Sequence, residues 1–535
     1  MASEFVYETL AFSPVSATQA GYHRHAGRVL DELLDDMTEN GLNRQRDFYE
    51  RFRIRLQSLG GRGFAAEDEA DLQILRNQTE LALLELNSIQ GYRHNPTLYV
   101  ELIGNALFGP YVLEYAPKKV RFGHIIARLQ KIPDFLTQAR VNIDSAPDVW
   151  SRVAAEENEG NIALIDETLR KECPTEEKEL YEGAAQSAID ALRAFSAYLK
   201  NDLKLHPADW RLGESQYRRK FQYALGTERS PAEILTDAEA QLKTIRAQMA
   251  VAAGSEPVEK ALNVIAQKHA TPYTYFDEAK GDLAEATAFV RDRHFVPLQP
   301  GGNLQVIPTP EFMRGVYGVG GFSGAPPLEP KLGAFYWITP IPKTWPNARK
   351  ESKLREYDFD GLKILTVHEA MPGHYVQAQY SGQIRPESRR LLRAVYGNVP
   401  YVEGWAVYAT QFMIEDGYYK NDPGMQLTWY KHLLRVVANT ILDIRLQTLN
   451  MSEQEALDLM IQDTYQEKEE AIAKYQRAQL SSAQLPAYFL GWRGWVKLRG
   501  EAQNRPNWNE SGFHQASLNE GAVPLEALRD LLLKK

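Results

Sequence analysis

The segment HEAMPGH at residues 368–374 most constrains how this chain can fold, because it carries two histidines around a Pro-Gly pair. In the usual zinc-protease motif the histidines are four residues apart on one helix face, with a Glu directly after the first. His368 and His374 are six apart, so on an unbroken helix they would point about 120° away from each other. Pro372 and Gly373 can break the helical hydrogen-bond ladder and permit unusual backbone angles. A local bulge there would bring His374 back beside His368.

An alternative interpretation is a helix that ends at Met371, where Pro-Gly marks a turn and each histidine is an isolated polar residue. Glu369 directly follows the first histidine, as in the standard motif, and this favours a metal site. The segment therefore predicts that His368 and His374 face one another and share a metal.

A site of this kind needs a third protein ligand, usually a carboxylate from a later helix, and leaves one position open for water. The segment YVEGWAVYATQFM offers Glu403, 29 residues after His374. Its neighbours Trp405 and Tyr408 indicate a packed helix, where an unpaired carboxylate would be costly. Glu403 is the predicted third ligand. The alternative is a buried ion pair with an arginine such as Arg435.

Several segments of the chain resemble those of one bacterial family. They are FSPVSATQAGYH near the N-terminus, LGESQY at 212–217, GAFYWITP at 333–340, HEAMPGHYVQ, RRLLRAVYGNVPYVEGWAVYATQFM and QLPAYFLG at 484–491. On these segments the chain resembles, over nearly its whole length, the bacterial domain-of-unknown-function 885 family, which is grouped with gluzincin-related HExxPGH zinc metallopeptidases. The resemblance implies that His368, His374 and Glu403 bind Zn²⁺ and that Glu369 is the general base. The residue chemistry gives the same assignment.

The chain departs from the common pattern of that family outside these four residues. Many members have a second histidine after the motif, an Asp and a His in a later helix, and a Pro-Gly pair before QLPAYFLG. The residues at these positions here are Tyr375, Asn439, Asp443, Ser482 and Ala483. These differences bear on hydrogen bonding around the ligands and on substrate preference.

The charge balance argues against nucleic acid as a partner. Lys plus Arg total 61 against 70 Asp plus Glu, a formal net charge of −9, so there is no overall basic field. Cys173 is the single cysteine and cannot form an intrachain disulfide. No apolar run approaches the ~20 residues of a membrane span, and MASEFVYETL lacks the features of a signal peptide. We expect a cytoplasmic protein for the sequence as written, or a periplasmic or secreted one if a signal peptide has been removed.

Helix signals dominate the chain. SPAE at 230–233 and SEQE at 452–455 are capping boxes ahead of amphipathic runs. The stretch 294–345 is rich in Gly, Pro, β-branched and aromatic residues, and predicts loops and short strands. We predict a mainly α fold: a large, helical, metallopeptidase-like body with a deep cleft and a small β element near the active site. Residues 1–290 would form a helical scaffold half, and residues 291–535 the metal-binding catalytic half of one continuous body.

The segment GAFYWITP within the strand-like stretch supports two interpretations. Peptidases of this class commonly hold substrate as an added strand, so the segment is a candidate sheet edge. It can equally be a buried strand whose aromatic residues fill the core. GGFSGAP around Ser323 superficially matches a nucleophile elbow, but it lacks the strand-turn-helix context, which argues against a serine hydrolase.

The residues predict zinc-dependent hydrolysis of peptide bonds, in short peptides if the site lies deep between helical halves. Glu369 would be the general base, and Tyr488, or else Tyr475, would supply a donor to the oxyanion. Arg477 and Arg493 could hold a substrate carboxylate or be surface salt-bridge partners. A zinc amidohydrolase acting on a non-peptide amide, and a non-catalytic zinc- or peptide-binding protein, are the alternatives. Glu369 favours an enzyme, since a binding protein has no need of the base.

Overall fold

Helices make up most of the fold in the computed structural model, which describes residues 1–60, 63–314, 318–420 and 422–534. The first group of α-helices comprises α1 (Ala2–Phe12), α2 (Pro14–Ala20), α3 (Glu39–Gln57), α4 (Ala66–Leu84), α5 (Pro96–Val112), α6 (Lys118–Leu129), α7 (Ile132–Asn142), α8 (Asp148–Ala163), α9 (Arg170–Glu172), α10 (Lys178–Asn201), α11 (Gly213–Leu225), α12 (Pro231–Ala253), α13 (Val258–Ala266) and α14 (Tyr275–Arg293). The second group comprises α15 (Asn347–Glu356), α16 (Phe359–Glu369), α17 (His374–Ser381), α18 (Glu387–Val395), α19 (Val399–Glu415), α20 (Pro423–Thr448), α21 (Glu453–Asp458), α22 (Lys468–Leu480), α23 (Pro486–Gln503), α24 (Glu510–Asn519) and α25 (Leu525–Leu533). The prediction of a mainly α fold is confirmed. Within the described ranges, no helix is both long enough and apolar enough to cross a membrane.

Shorter helical turns extend or link these helices. Turns of π-helix span Glu85–Ile89, Leu164–Leu169 and Leu459–Asp463. Turns of 3₁₀-helix span Leu30–Glu32, Gly91–Arg93, Thr175–Glu177, Leu203–Leu205 and Glu311–Met313.

Both predicted capping boxes begin helices. At the start of α12, Ser230 Oγ accepts a hydrogen bond from the Glu233 N–H at 3.3 Å, and the Glu233 carboxylate accepts one from the Ser230 N–H at 2.8 Å. Ser452 and Glu455 make the same reciprocal pair at the start of α21. These bonds satisfy N–H groups that have no partner within the helix, which is why the local sequence fixes both boundaries.

Two small sheets complete the secondary structure. A two-stranded hairpin and a three-stranded sheet contain, in chain order, β1 (Arg24–His25), β2 (Arg28–Val29), β3 (Leu304–Pro308), β4 (Gly320–Ser323) and β5 (Ala334–Ile338). The larger sheet has the order β3-β5-β4, with β5 parallel to β3 and antiparallel to β4. All five side chains of β5 are buried. The sheet-edge interpretation of GAFYWITP is wrong, because strands on both sides already use the backbone groups that an added strand would need; the buried-strand interpretation is confirmed.

The two predicted halves share one hydrophobic core. This core contains Phe5 of α1 and Val290 of α14 together with Tyr401 and Trp405 of α19. In addition, α12 packs on α20, and α1 packs on α18. Residues on both sides of position 290 therefore hold the metal-motif helices in place.

Candidate metal centre

The HEAMPGH segment forms two helices joined by a tight turn. Helix α16 ends at Glu369, and α17 begins at His374. In the turn, the Gly373 N–H donates a hydrogen bond to the Val367 carbonyl at 3.0 Å. A Cβ atom at position 373 would stand 1.8 Å from the His368 carbonyl oxygen. Only glycine can fill this position, because the backbone of α16 occupies the space that any side chain would need.

A hydrogen bond ties this turn to the helix that carries Glu403. The indole N–H of Trp405 in α19 donates to the Pro372 carbonyl at 2.9 Å, and the Trp405 side chain is fully buried. A buried carbonyl without a donor is costly, so this bond favours one placement of the turn against α19.

The two histidines of the motif lie side by side. The ring centroids of His368 and His374 are 4.8 Å apart, with an angle of 84° between the ring planes. The prediction that they face one another is confirmed. They do so from two separate helices instead of across a bulge in one, so the helix does end near Met371, but the histidines are not isolated.

Glu403 completes a group of three possible ligands. Its Oε2 atom lies 3.5 Å from His368 Nε2 and 3.4 Å from His374 Nε2. Zinc ligands at ~2.0–2.1 Å from a tetrahedral metal are about 3.3–3.4 Å apart, close to these two separations. Among the residues that the structure describes, this is the one group of at least three His, Cys, Asp or Glu side chains that could hold a metal ion.

The polar atoms of this group are unsatisfied by the protein. Within the described part of the chain, Glu403 Oε2, His368 Nδ1 and His374 Nδ1 are buried without a hydrogen-bond partner. Of these atoms, Glu403 Oε2 is the one that faces both His Nε2 atoms, and a carboxylate oxygen buried there is costly unless a cation or ligand compensates. The donor set of two imidazoles and one carboxylate fits Zn²⁺.

The charges within the group support each other. Burial would raise the pKa of the Glu403 carboxyl, but the imidazoles of His374 and His368 hold it below its usual range. Burial would lower the pKa of His374, but the Glu403 carboxylate raises it. The alternative ion pair between Glu403 and Arg435 is wrong, because Arg435 contacts Glu356 at 3.5 Å while Glu403 faces the histidines.

A close contact between helices α19 and α23 positions Glu403. A Cβ atom on Gly404 would lie 2.2 Å from the backbone carbon of Gly491, and one on Gly491 would lie 1.9 Å from the Pro400 carbonyl oxygen. Two glycines thus let the helix backbones touch. Glu403 is adjacent to one glycine and Tyr488 lies one helical turn before the other, so this contact brings both side chains to the same site.

Glu369 is buried beside the ligands without being one of them. The residue is 8% exposed and lies outside the three-residue group. Burial raises the pKa of its carboxyl, while the imidazoles of His368 and His374 oppose that rise. A carboxyl group with a raised pKa is suited to accept and return a proton near neutral pH.

Tyr488 lies at the site and Tyr475 does not. The Tyr488 ring stacks against His368, with centroids 6.1 Å apart and 18° between the planes. Burial and the negative charge of Glu403 raise the pKa of its phenol, so the hydroxyl stays protonated and able to donate. Tyr475 lines a separate cavity with Trp210.

The two predicted carboxylate-binding arginines are also separated by the fold. The positive charge of Arg477 lowers the pKa of both Glu369 and Tyr488, which places Arg477 near the site. Arg493 stands over the Trp492 ring, 5.5 Å from its centroid, and lines a different cavity. Arg493 is therefore no candidate for holding a substrate at this site.

His432 is a neighbour of the site that sequence reasoning missed. Its ring centroid is 6.2 Å from that of His368, and the ring stacks on Trp429 at 5.6 Å. Burial lowers its pKa well below the usual range, so the ring is neutral. No sequence signal pointed to it, because it lies 58 residues beyond His374 in an ordinary helical run.

The positions that depart from the family pattern have structural consequences. The Asp443 carboxylate accepts hydrogen bonds from the Ala483 and Leu485 N–H groups at 3.3 and 3.2 Å. Ala483, where the family commonly has glycine, has a φ of 57°, a conformation that glycine adopts at lower cost. The hydroxyl of Tyr375 accepts the Asn303 N–H at 3.0 Å. None of these contacts involves the three ligands.

A cleft of about 820 Å³ reaches the ligand group. His374 and Glu403 lie in its wall, with side chains from α17, α18 and the loop after β4. Phe322 of the edge strand β4 also lines the cleft, and its ring stacks on His374 with centroids 6.3 Å apart. The candidate metal centre is thus open to a ligand along one edge of the small sheet.

Comparison with known proteins identifies the family. The profile of the family described as bacterial protein of unknown function (DUF885) matches residues 14–532. A candidate lipoprotein of unknown function from Shewanella oneidensis is 25% identical, with a TM-score of 0.80 over 99% of this chain and 98% of that one. A candidate lipoprotein from Colwellia psychrerythraea is 18% identical and has the same fold, with a TM-score of 0.80 over 99% of this chain and 97% of that one. No curated protein matches the chain. Since the profile match extends over nearly the whole chain and includes every residue of the metal centre, this protein belongs to the DUF885 family of bacterial proteins.

Proposed function

We propose that this protein is a zinc-dependent hydrolase that cleaves peptide bonds in short peptides. The observation that carries the proposal is the convergence of His368, His374 and Glu403 beside the buried carboxyl of Glu369. The three donors come from three helices, and Glu403 Oε2 is buried between them without a hydrogen-bond partner among the described residues, which costs stability without a bound ion.

The roles of the residues follow from the charges that develop during hydrolysis. A zinc ion held by the three donors would lower the pKa of a water molecule and polarise the substrate carbonyl. Glu369 accepts one proton as the water oxygen bonds to the carbonyl carbon. It then delivers that proton to the amide nitrogen as the C–N bond breaks, which releases an amine and a carboxylate.

Tyr488 is the candidate donor to the carbonyl oxygen. Negative charge develops on that oxygen as the carbonyl carbon becomes tetrahedral, and a nearby hydroxyl lowers the barrier by donating a hydrogen bond. The raised pKa of the Tyr488 phenol keeps that proton in place, and its stacking on His368 places it beside the ligands.

The cleft favours a short peptide as the substrate. Its volume of about 820 Å³ lies within the range of pockets that bind small ligands. One edge strand of the sheet is β4, whose Phe322 lines the cleft together with Gly324 just beyond the strand. An extended peptide can hydrogen-bond to such an edge, which a compact non-peptide amide cannot do over the same length.

The proposal is tested by separating metal binding from turnover. The purified protein is loaded with zinc and screened against short peptides and N-acylated amino acids, with chelation and zinc re-addition as controls. Glu369→Gln keeps the shape of the side chain but removes the proton acceptor. It should retain zinc and lose on the order of 10²–10⁴ in rate. Glu415→Gln is the matched control, because it makes the same change at a half-exposed carboxylate that contacts Arg499.

Each alternative has its own outcome in this experiment. Turnover of acylated amino acids without any cleavage of peptides would replace the proposal with a zinc amidohydrolase. Bound zinc with no turnover of any amide would make the protein a binding protein. Near-normal turnover in Glu369→Gln would refute the assignment of the base.

A further inference from the structure

Arg390 lies in the wall of the same cleft with little to neutralise it. It belongs to α18, and its side chain is 10% exposed. Its Nη1 donates to the Gly382 carbonyl at 3.4 Å and its Nη2 to the Glu387 carboxylate at 3.3 Å, both near the limit for a hydrogen bond. Its Nε is buried and has no partner among the described residues. Glu387 is 59% exposed, so water screens much of its charge.

The neighbouring Arg393 differs from Arg390, because the protein provides a hydrogen-bond acceptor for each of its guanidinium nitrogens. Its Nε donates to Asp71 at 2.7 Å, its Nη2 to the Glu67 carbonyl at 3.1 Å, and its Nη1 to the Glu520 carbonyl. All three nitrogens of Arg393 are thus engaged by the protein. Arg390 is one turn earlier on the same helix and keeps donor capacity for a ligand.

The charged side chains that line the cleft favour a ligand with a negatively charged terminus. Of the described residues in its wall, Lys331, Arg390 and Arg393 are cationic, and Glu403 is the one carboxylate. Glu403 belongs to the candidate metal centre. Asp71, which is not part of the cleft wall, already pairs with Arg393, so the positive charge that remains for a ligand in this part of the wall is that of Arg390.

The length of helix α17 gives the approximate distance from the candidate metal centre to Arg390. This helix begins at His374, and the Gly382 carbonyl that Arg390 contacts follows its last residue. Eight residues of helix rise ~12 Å at ~1.5 Å per residue. An extended peptide covers that distance in between three and four residues, at ~3.3 Å each.

We propose that Arg390 binds the C-terminal carboxylate of the substrate, three or four residues beyond the bond that is cleaved. The protein would then release tri- or tetrapeptides from the free C-terminal end of short peptides. This inference rests on the proposed function for the identity of the site. Its test uses binding as well as turnover, so that the two can fail separately.

The experiment compares penta-alanine with penta-alanine amide. Binding of both is measured by calorimetry to zinc-loaded Glu369→Gln protein, alone and combined with Arg390→Met, Arg390→Lys or Arg389→Met. Arg389 is the matched control, because it is on the same helix and carries the same charge, but its guanidinium is engaged by Asp68 and Asp71 at 2.7 Å. Thermal unfolding of each variant checks that it is folded. Turnover of the two peptides is measured with Glu369 intact.

We expect the free acid to bind ~10–100-fold more tightly than the amide, because a hydrogen bond between charged groups typically changes a dissociation constant by about this factor. Arg390→Met should abolish this preference, Arg390→Lys should restore part of it, and Arg389→Met should keep it. Equal binding of the two peptides, no binding of either, or a preference that survives Arg390→Met would overturn the role of Arg390. If the preference is present but neither peptide is cleaved, the proposed hydrolysis fails while the carboxylate site stands.

Discussion

Gly373 and His368 are in backbone contact: a Cβ atom at position 373 would stand 1.8 Å from the carbonyl oxygen of residue 368. This contact lets α17 begin directly against the end of α16. It is the reason that histidines six residues apart can approach to a ring separation of 4.8 Å.

Gly373→Ala should therefore disrupt the candidate metal centre. The methyl group meets backbone that cannot move without displacing α16, so we expect a loss of on the order of 3 kcal/mol or more in unfolding free energy. Zinc content, measured by mass spectrometry on the folded fraction, should fall sharply. Gly382→Ala at the other end of α17 is the control, because the nearest atom to its Cβ would be 3.5 Å away, an ordinary contact. Zinc bound normally by Gly373→Ala would contradict the role of this turn.

Glu403→Ala should lower zinc content while leaving the fold intact. The carboxylate faces both imidazoles at 3.4–3.5 Å, and removing it leaves two neutral ligands. Its removal also takes away the carboxylate that pairs with the two buried imidazoles, so the unfolding temperature without metal should fall modestly. Glu415→Ala on the same helix should change neither quantity, because that side chain is 49% exposed. Unchanged zinc stoichiometry in Glu403→Ala would mean that Glu403 is structural.

Gly491→Ala should separate α19 from α23. The added Cβ would lie 1.9 Å from the Pro400 carbonyl oxygen, so the helices must move apart, and we expect a cost of ~2–4 kcal/mol. Tyr488 would shift with α23, and any turnover should fall more than zinc binding does. Gly500→Ala on the same helix has nothing within 4 Å of its Cβ and should stabilise by up to ~1 kcal/mol through helix propensity. Equal chemical denaturation midpoints for the two variants would argue against the glycine contact.

Glu157→Gln should change how stability depends on pH. Burial and the neighbouring Glu101 carboxyl raise the pKa of Glu157 from 4.5 to about 9, and neither of its oxygens has a hydrogen-bond partner in the described structure. The folded state thus binds a proton that the unfolded chain releases above its own pKa, so this group costs stability progressively as pH rises from about 4.5 to about 9. At ~1.4 kcal/mol per pKa unit, the wild type should lose up to ~4 kcal/mol by about pH 7.5 relative to the variant.

Urea unfolding of both proteins across this pH range measures the difference. Glu157→Gln and the wild type should differ least near pH ~5, and the variant should gain steadily above it. Glu156→Gln is the control, because that side chain is 67% exposed and its charge raises the pKa of Glu157 less than burial or Glu101 does, so the pH profile should shift only slightly. Parallel profiles for Glu157→Gln and wild type would show that the buried carboxyl is not protonated in the folded state.

The sequence by itself determined the features that depend on neighbouring residues. Capping boxes at Ser230 and Ser452 predicted two helix starts, because the bonds that stabilise them span three residues. The three residues that lie together were also predictable. His368 and His374 belong to one short motif in which Glu369, the predicted base, directly follows the first histidine. Glu403 is an acidic residue among apolar neighbours, where a buried carboxylate needs a partner.

Only the tertiary structure decided the features that depend on contacts between distant segments. Whether the Pro-Gly pair isolates the histidines or brings them together depends on how the turn lies against α19, where the Trp405 indole donates to the Pro372 carbonyl. The choice of Tyr488 over Tyr475 depends on a helix crossing set by Gly404 and Gly491. Local sequence patterns indicate hydrogen bonds within one element, whereas the packing of one element on another depends on residues that lie tens to hundreds of positions apart.

The small sheet and the cleft also combine features that the sequence predicts with features that only the tertiary structure decides. Composition predicted strands near residues 304–338, but both a central and an edge strand can be rich in aromatic and β-branched residues. The strand order, which places β5 in the centre and β4 at the edge, is fixed by which backbones pair. Likewise, sequence does not distinguish Arg390 from Arg393, although both line the cleft. The positions of Asp71 and of the Glu67 and Glu520 carbonyls make Arg393 a structural arginine, while Arg390 Nε has no partner in the described structure.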